Sequence, residues 1–225
     1  MRLFNPILPG ANLSDRLVAC LGAALGIALT ALASALVPLA PADLPVVIAP
    51  LGASAVLAFA VPASPLAQPW PVIGGNTISA LVGAAVFRLV PDPTVAAGVA
   101  VGAAMLVMSL LRCLHPPGGA AALTAVVGGP SVHAAGFAFA LAPVALNSVA
   151  LVLLALAFHR FSAHSYPHRP AGLPVRTAAG IARADMDAAL ADMHESFDIA
   201  REDLDALLAH AERHTRLRTT GQAQR

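Results

Sequence analysis

The sequence predicts an all-α fold, a polytopic helical bundle embedded in a lipid bilayer. Three observations carry this expectation. The 225 residues are 58% hydrophobic and only 11% charged, whereas an ordinary soluble domain is about 25% charged. Between Arg16 and Arg160 the only charged residues are Asp43, Arg88, Asp92 and Arg112. The stretch between those ends divides into apolar runs near the length of a membrane helix, about 20 residues for about 30 Å of hydrocarbon. This composition excludes a soluble enzyme, a nucleic-acid-binding module and a disordered chain. A net charge of +1 also gives no reason to expect a nucleic-acid partner.

The elements follow in order. Residues 17–39 are the first run. Ala33-Ser34-Ala35 imitates a signal-peptidase site, but the run is long and further spans follow, so it reads as a membrane helix. Residues 44–61 are apolar but interrupted by Pro50 and Gly52. Residues 73–89 contain Asn76 and close on Arg88. Residues 94–111 are uninterrupted. Residues 118–127 are short, bracketed by His115-Pro116-Pro117 and Gly128-Gly129-Pro130. Residues 134–158 complete the set. Four runs can span a bilayer, and two are short or broken near their start.

The two broken runs align. Ala49-Pro50-Leu51-Gly52-Ala53-Ser54-Ala55 matches Pro116-Pro117-Gly118-Gly119-Ala120-Ala121-Ala122, and Asn76-Thr77-Ile78 matches Asn147-Ser148-Val149. Chance is the competing explanation in an alanine-rich chain. If the match is real, each half is long helix, broken helix, long helix, and the bundle is a 3+3 inverted repeat, a common transporter plan. Arg2 and Arg16 precede the first run, and Arg160, Arg169, Arg176 and Arg183 follow the last. Both termini are therefore expected in the cytoplasm, with an even number of crossings. The repeat favours six. Four crossings with both broken segments re-entrant is the alternative.

A transmembrane domain is expected over residues 1–160, a juxtamembrane linker over 161–182, an amphipathic helical tail over 183–218 and disorder over 219–225. In the tail, Met186, Leu190 and Met193 share one helical face. Asp198 can cap a second helix with Leu204, Leu207, Leu208 and Ala211 on its apolar side. The tail reads as a solvated helical hairpin that packs on itself or on a second copy.

The candidate site lies in the two broken runs. Pro116 and Pro117 stop an arriving helix and suit the start of a new one. The amides from Gly118 to Ala121 would then be free, and glycine lets a ligand approach them closely. A helix N-terminus carries partial positive charge and suits a small anion. Pro50, Gly52 and Ser54 offer a second such start. Two facing starts would bind an anion without a fixed cation, which would hold it too tightly for transit. The candidate substrate-binding residues are Pro50, Gly52, Ser54, Asn76, Thr77, His115, Pro117, Gly118, Gly119 and Asn147. The bland alternatives are a kink with His115 bonded to a carbonyl, and Asn76 and Asn147 as interhelical glue worth about 1 kcal/mol or less. Arg88 and Arg112 read as interface anchors, Trp70 as an interfacial anchor, and Gly22, Gly26, Gly83, Gly98 and Gly102 as close-packing positions.

No nucleophile elbow, His-Glu-x-x-His or phosphate loop is present, so no enzyme is expected. The two cysteines, Cys20 and Cys113, stand alone, and His159, His164 and His168 lack partners at ligand spacing. No metal or cofactor is expected.

Leu110-Leu111-Arg112-Cys113-Leu114-His115-Pro116-Pro117-Gly118-Gly119-Ala120 resembles the signature of the HPP family of integral membrane proteins. Pro50-Leu51-Gly52-Ala53-Ser54-Ala55-Val56-Leu57, Ser64-Pro65-Leu66-Ala67-Gln68-Pro69-Trp70-Pro71-Val72-Ile73-Gly74-Gly75-Asn76 and Tyr166-Pro167-His168 agree with it. The resemblance implies a membrane domain of about four helices and a transport role, with relatives associated with nitrite. Bacterial members often continue through an amphipathic linker like residues 185–212 into CBS domains. The expected function is a transporter or channel for a small inorganic anion, nitrite being the candidate. The expected location is a bacterial inner membrane, and the expected partners are lipid, the anion and a second copy of the chain. The competing class is a membrane-embedded sensor or scaffold acting through its tail. His115 is the one candidate for proton coupling.

Overall fold

Proline decides where most of these helices begin. Of nine α-helices among the described residues of the computed structural model, α2 (Pro50–Ala60), α3 (Pro71–Leu89), α4 (Pro93–Leu110), α5 (Pro116–Val127) and α6 (Pro130–Ala135) each open on proline. At that position the missing N–H would have had no helical partner anyway. The others are α1 (Leu13–Leu36), α7 (Phe137–His159), α8 (Arg183–Met193) and α9 (Arg201–Thr219). The structure describes residues 13–36, 44–162, 164–169, 183–193 and 198–219, and among these there is no strand. The expected disorder over 219–225 lies almost wholly outside the described residues.

Four helices, α1, α3, α4 and α7, are long and apolar enough to cross a membrane. The short α2 and α5 have 11 and 12 residues, or about 16–18 Å at 1.5 Å per residue, roughly half the hydrocarbon thickness. The element boundaries depart from the apolar runs in instructive ways. The run over 44–61 is helical only from Pro50; residues 44–49 are irregular. Helix α5 starts at Pro116 rather than Gly118. Gly136 has φ +54° and separates α6 from α7, a conformation glycine adopts without steric penalty.

Two groups of contacts define the ends of the bundle. At one end Trp70 Nε1 donates to the Leu111 carbonyl (3.2 Å), His115 Nδ1 to the Leu66 carbonyl (2.8 Å) and the Tyr166 hydroxyl to the Ala67 carbonyl (2.9 Å). At the other end the Arg88 guanidinium lies 4.4 Å from the Phe137 ring centre, and His133 stacks on Phe87 at 3.8 Å. Helices α3 and α5 therefore run parallel, and α2 runs against α5. Taken element by element in chain order, α4 runs against α1, α5 against α2 and α7 against α3.

Small residues set the spacing. A Cβ on Gly83 would lie 2.3 Å from the Ala122 carbonyl oxygen, so α3 and α5 touch backbone to backbone. Gly22 and Gly26 admit the Phe59 ring in the same way. Gly98 and Gly102 do not follow this pattern: no atom lies within 4 Å of a Cβ added at either. The buried stripe of α4 is Ala96, Ala100, Ala104 and Met108, and both glycines fall off that i, i+4 row, facing away from the bundle. Arg112, at φ +54° in the turn before α5, is exposed, and so is Trp70.

The stretch read as a linker is partly packed. Tyr166 is buried, and His168 donates its backbone amide to the Gln68 side chain. The tail reaches the same loop. The Ser64 hydroxyl lies 2.8 and 2.9 Å from the two carboxylate oxygens of Asp198, and His168 Nε2 lies 2.8 Å from Asp203. Helix α9 begins at Arg201, three residues beyond Asp198, so Asp198 holds the membrane domain's loop instead of capping the helix.

Candidate functional site

The two half-length helices and two long ones converge on a buried polar cluster. Ser54 comes from α2, Asn76 and Ser79 from α3, His115 from the residue before α5, and Ser148 from α7; all five are fully buried. His115 Nε2 and Ser54 Oγ are 2.8 Å apart. Asn76 Nδ2 donates to Ser54 Oγ at 3.0 Å and to Ser148 Oγ at 3.2 Å. Since the Leu66 carbonyl can only accept, the His115 proton sits on Nδ1, and a neutral ring then accepts the Ser54 hydroxyl proton at Nε2. A second acceptor, the Pro50 carbonyl, lies 3.4 Å from Ser54 Oγ. Should Nε2 gain a proton, Ser54 can turn its hydroxyl to Pro50 and accept from the ring. The pair thus remains bonded in either protonation state.

Among the described residues, three buried side-chain oxygens of α3 have no hydrogen-bond partner: Asn76 Oδ1, Thr77 Oγ1 and Ser79 Oγ. Leaving a buried polar group unpaired costs about 1–3 kcal/mol, so these atoms suit a small polar guest. Both long helices that reach the cluster are irregular just before it. Helix α3 opens with a π-helical turn, Pro71–Gly75, directly ahead of Asn76. Helix α7 is kinked over Ala140–Ala145, with Ala142 outside helical φ/ψ before Pro143. Such π-turns recur at functional sites.

The structure redistributes the residues singled out in sequence. Ser54, Asn76 and His115 are joined, whereas Thr77, the next residue of α3, is partly exposed. Pro50 is buried and offers its carbonyl; Pro117 is buried as the second residue of α5. Gly118 is buried, and a Cβ there would lie 2.8 Å from both the Gly75 carbonyl oxygen and Ser79 Oγ. Gly52 is exposed with nothing near it, and Gly119 is partly exposed, with Val101 of α4 its nearest contact. The two glycines therefore do not flank a shared pocket. Asn147 lies outside the network: its Oδ1 accepts from the Ile48 amide, and its Nδ2 donates to the Val46 carbonyl and to Ser34 Oγ. That is glue.

The expectation of a free amide at Gly118 fails. The Gly118 amide donates to the His115 carbonyl at 2.8 Å, and at the start of α2 the Leu51 and Gly52 amides donate to Ile48 and Ala49. With Pro116 and Pro117 lacking N–H groups, the first turn of α5 has its earliest available donor already engaged. The unpartnered atoms identified at the site, on Asn76, Thr77 and Ser79, belong to side chains. Ser79 and Ser148 were not singled out in sequence, because a lone serine in an apolar helix has no distinguishing pattern. The Leu66 carbonyl is a backbone atom that no motif encodes.

A family model described as HPP, transmembrane region, matches residues 8–167. Among curated proteins, a Dictyostelium discoideum transmembrane protein is 39% identical over 132 residues, covering 56% of this chain and 46% of the relative. A second Dictyostelium discoideum transmembrane protein is 39% identical over 114 residues, covering 49% of this chain and 36% of its own. The chain thus spans less than half the length of the curated relatives it matches. No solved structure matches it significantly. The matched span takes in the Ser54–Asn76–His115–Ser148 cluster and extends to the Tyr166-Pro167 segment that closes over the 61–70 loop, and the chain belongs to the HPP transmembrane family.

Proposed function

We propose that this membrane protein transports a small inorganic anion, nitrite being the first to test, through the polar cluster between α2, α3, α5 and α7. The observation that carries the reading is the set of unpartnered oxygens on Asn76, Thr77 and Ser79 inside an otherwise apolar bundle. Thr77 and Ser79 offer neutral hydroxyl donors, Asn76 Oδ1 being an acceptor only, and no fixed cation stands beside them, since Arg88 is at the far end with Phe137 and Arg112 is exposed. Neutral donors allow release as well as capture. The donors in this reading are side-chain hydroxyls, in place of helix-start amides. Arginine placement supports cytoplasmic termini in a bacterial inner membrane, and the reversed halves support six crossings. The protein needs no catalytic group or cofactor for this role, and a second copy of the chain is a partner to test by its mass in detergent.

The test is nitrite uptake into proteoliposomes holding the purified chain. Saturable uptake above that of protein-free liposomes is expected, and Ser79→Ala together with Thr77→Val should lower it without unfolding the protein. Uptake indistinguishable from empty liposomes favours the second reading, a membrane-embedded sensor or scaffold. Its supporting observation is the docking of Asp198 and Asp203 of the tail on Ser64 and His168.

A further inference from the structure

The end of α7 carries a feature separate from the polar cluster. A pocket of about 530 Å³ opens between α7 and the segment that follows it, lined by Leu156, His159, Arg160, Ser165, Tyr166 and Arg169, with Pro167 between them. A second hollow of about 670 Å³, lined by Leu156, Ala157, Arg160 and Phe161, shares Leu156 and Arg160 with the first. The first has a mixed wall that carries the polar groups, and the other is largely apolar.

Most of the polar groups in the first pocket are already engaged. His159 Nε2 donates to the Ala58 carbonyl at 2.9 Å, and its Nδ1 lies 2.7 Å from Ser162 Oγ. The Tyr166 hydroxyl donates to Ala67, and Ser165 Oγ accepts from the Arg169 amide. The two guanidiniums remain. Neither Arg160 nor Arg169 has an ion-pair partner among the described residues. Two exposed guanidiniums select an anion, and their planar donor forks fit phosphate oxygens.

The apolar hollow adds a second requirement. Phe161 is 93% exposed and Leu153 60% exposed. Leu153, Ala157 and Phe161 stand four residues apart, so they form one stripe along α7 and the turn that ends it. The stripe runs from the interior of a membrane-crossing helix to the arginines at its end. A free phosphate would leave it uncovered; a lipid chain would cover it.

We propose that this surface binds one anionic phospholipid, with its phosphate held between Arg160 and Arg169 and an acyl chain lying along Leu153, Ala157 and Phe161. The headgroup sits at the membrane surface, where the arginines that follow the last span are expected and where anionic lipid attracts them. The pocket wall includes His159 and Tyr166, so the bound lipid also covers the packed segment after α7.

The experiment titrates the full chain in non-ionic detergent with phosphatidylglycerol, phosphatidylcholine or inorganic phosphate. Native mass spectrometry counts bound lipid, and thermal unfolding reads its effect. Phosphatidylglycerol is expected to bind one per chain, about tenfold tighter than phosphatidylcholine, and to raise Tm, while inorganic phosphate does not. Arg160→Gln combined with Arg169→Gln should reduce the binding to the phosphatidylcholine level; both residues are exposed, and the double variant's unfolding in lipid-free detergent checks that it folds. Phe161→Gln should weaken both lipids alike, leaving their ratio unchanged. Equal binding of the two lipids by the wild type overturns the proposal, as does an undiminished preference in the double arginine variant. Stabilisation by inorganic phosphate equal to that by phosphatidylglycerol replaces the lipid with a simple ion and overturns it too.

Discussion

Asn147 holds the backbone amide of Ile48 on its side-chain oxygen at 3.1 Å, across 99 residues of sequence. Its amide nitrogen donates to the Val46 carbonyl and to Ser34 Oγ. One side chain in the middle of α7 thus supplies partners to the non-helical residues that lead into α2. Backbone without helical bonds cannot face lipid, so this segment requires such a partner.

Replacing Asn147 by alanine should strand the Ile48 amide, the Val46 carbonyl and the Ser34 hydroxyl together. At about 1–3 kcal/mol per buried orphan, with partial relief by water, the loss should be about 2–4 kcal/mol. Thermal unfolding in detergent checks this; a Tm unchanged from wild type would show that the segment finds other partners.

Adjacent glycines should respond oppositely to the same change. Gly118→Ala places a methyl group 2.8 Å from the Gly75 carbonyl and from Ser79 Oγ, an overpacking cost of about 1–3 kcal/mol. Gly119→Ala meets only Val101, at 3.8 Å, and should be neutral or stabilise α5 by about 0.5–1 kcal/mol through helix propensity. Parallel melts of the two variants are sufficient.

Tyr166 is the chain's one tyrosine, so tyrosinate absorbance reports it alone. Burial raises its phenol above the ordinary range, near 10 in an unfolded chain. The folded state therefore keeps its proton where the unfolded state loses it. Stability from this group is fully present below about pH 10 and declines as pH rises beyond it. Tyrosinate should appear only as the protein unfolds. Tyr166→Phe should remove the alkaline decline while costing about 1 kcal/mol at neutral pH, from the lost bond to Ala67.

His115 and Ser54 remain bonded whichever of them donates, because Ser54 has the Pro50 carbonyl as a second acceptor. If a proton accompanies the anion, nitrite uptake should vary across the range in which histidine ordinarily changes charge, about pH 5 to 8. His115→Gln should flatten that profile. A variant that keeps the wild-type slope would assign the pH response to another group.

Ser64→Ala removes the hydroxyl that both Asp198 oxygens accept. Hydrogen bonds to charged groups contribute about 1.5–3 kcal/mol, so amide exchange in α9 should quicken by about tenfold or more while exchange in α3 and α5 stays as in wild type. Equal exchange in α9 would place its anchorage elsewhere, with His168 and Asp203 the next pair to remove.

The fold was legible where the signal is carried by side-chain polarity or by proline. Long apolar runs located α1, α3, α4 and α7 within a few residues, and Pro50 and Pro116 marked the two short helices. The site was only half legible. Ser54, Asn76 and His115 stand out by residue type, but Gly52 accompanies Ser54 only in sequence: positions two residues apart on a helix are about 200° apart, so they face opposite ways. The free amide expected at Gly118 was lost to a bond with the His115 carbonyl three residues back, which sequence spacing does not reveal. The equal status given to Asn76 and Asn147 resolved into different roles, because which helix faces each amide is set by packing.

The 64–68 loop binds much of its surroundings through its backbone. Leu66 and Ala67 receive His115 and Tyr166 on carbonyl oxygens, which every amino acid possesses, whereas Ser64 and Gln68 act through their side chains. Across homologous chains, then, half-exposed Leu66 is free to drift while its partner His115 is constrained. A search for covarying pairs would miss this contact, since the loop end of the bond leaves no trace in the alphabet of residues. Substitution scanning would be equally blind at Leu66 itself; an ester linkage between residues 66 and 67 changes no side chain and weakens the Leu66 acceptor, while also removing the Ala67 N–H that donates to the Ser64 carbonyl.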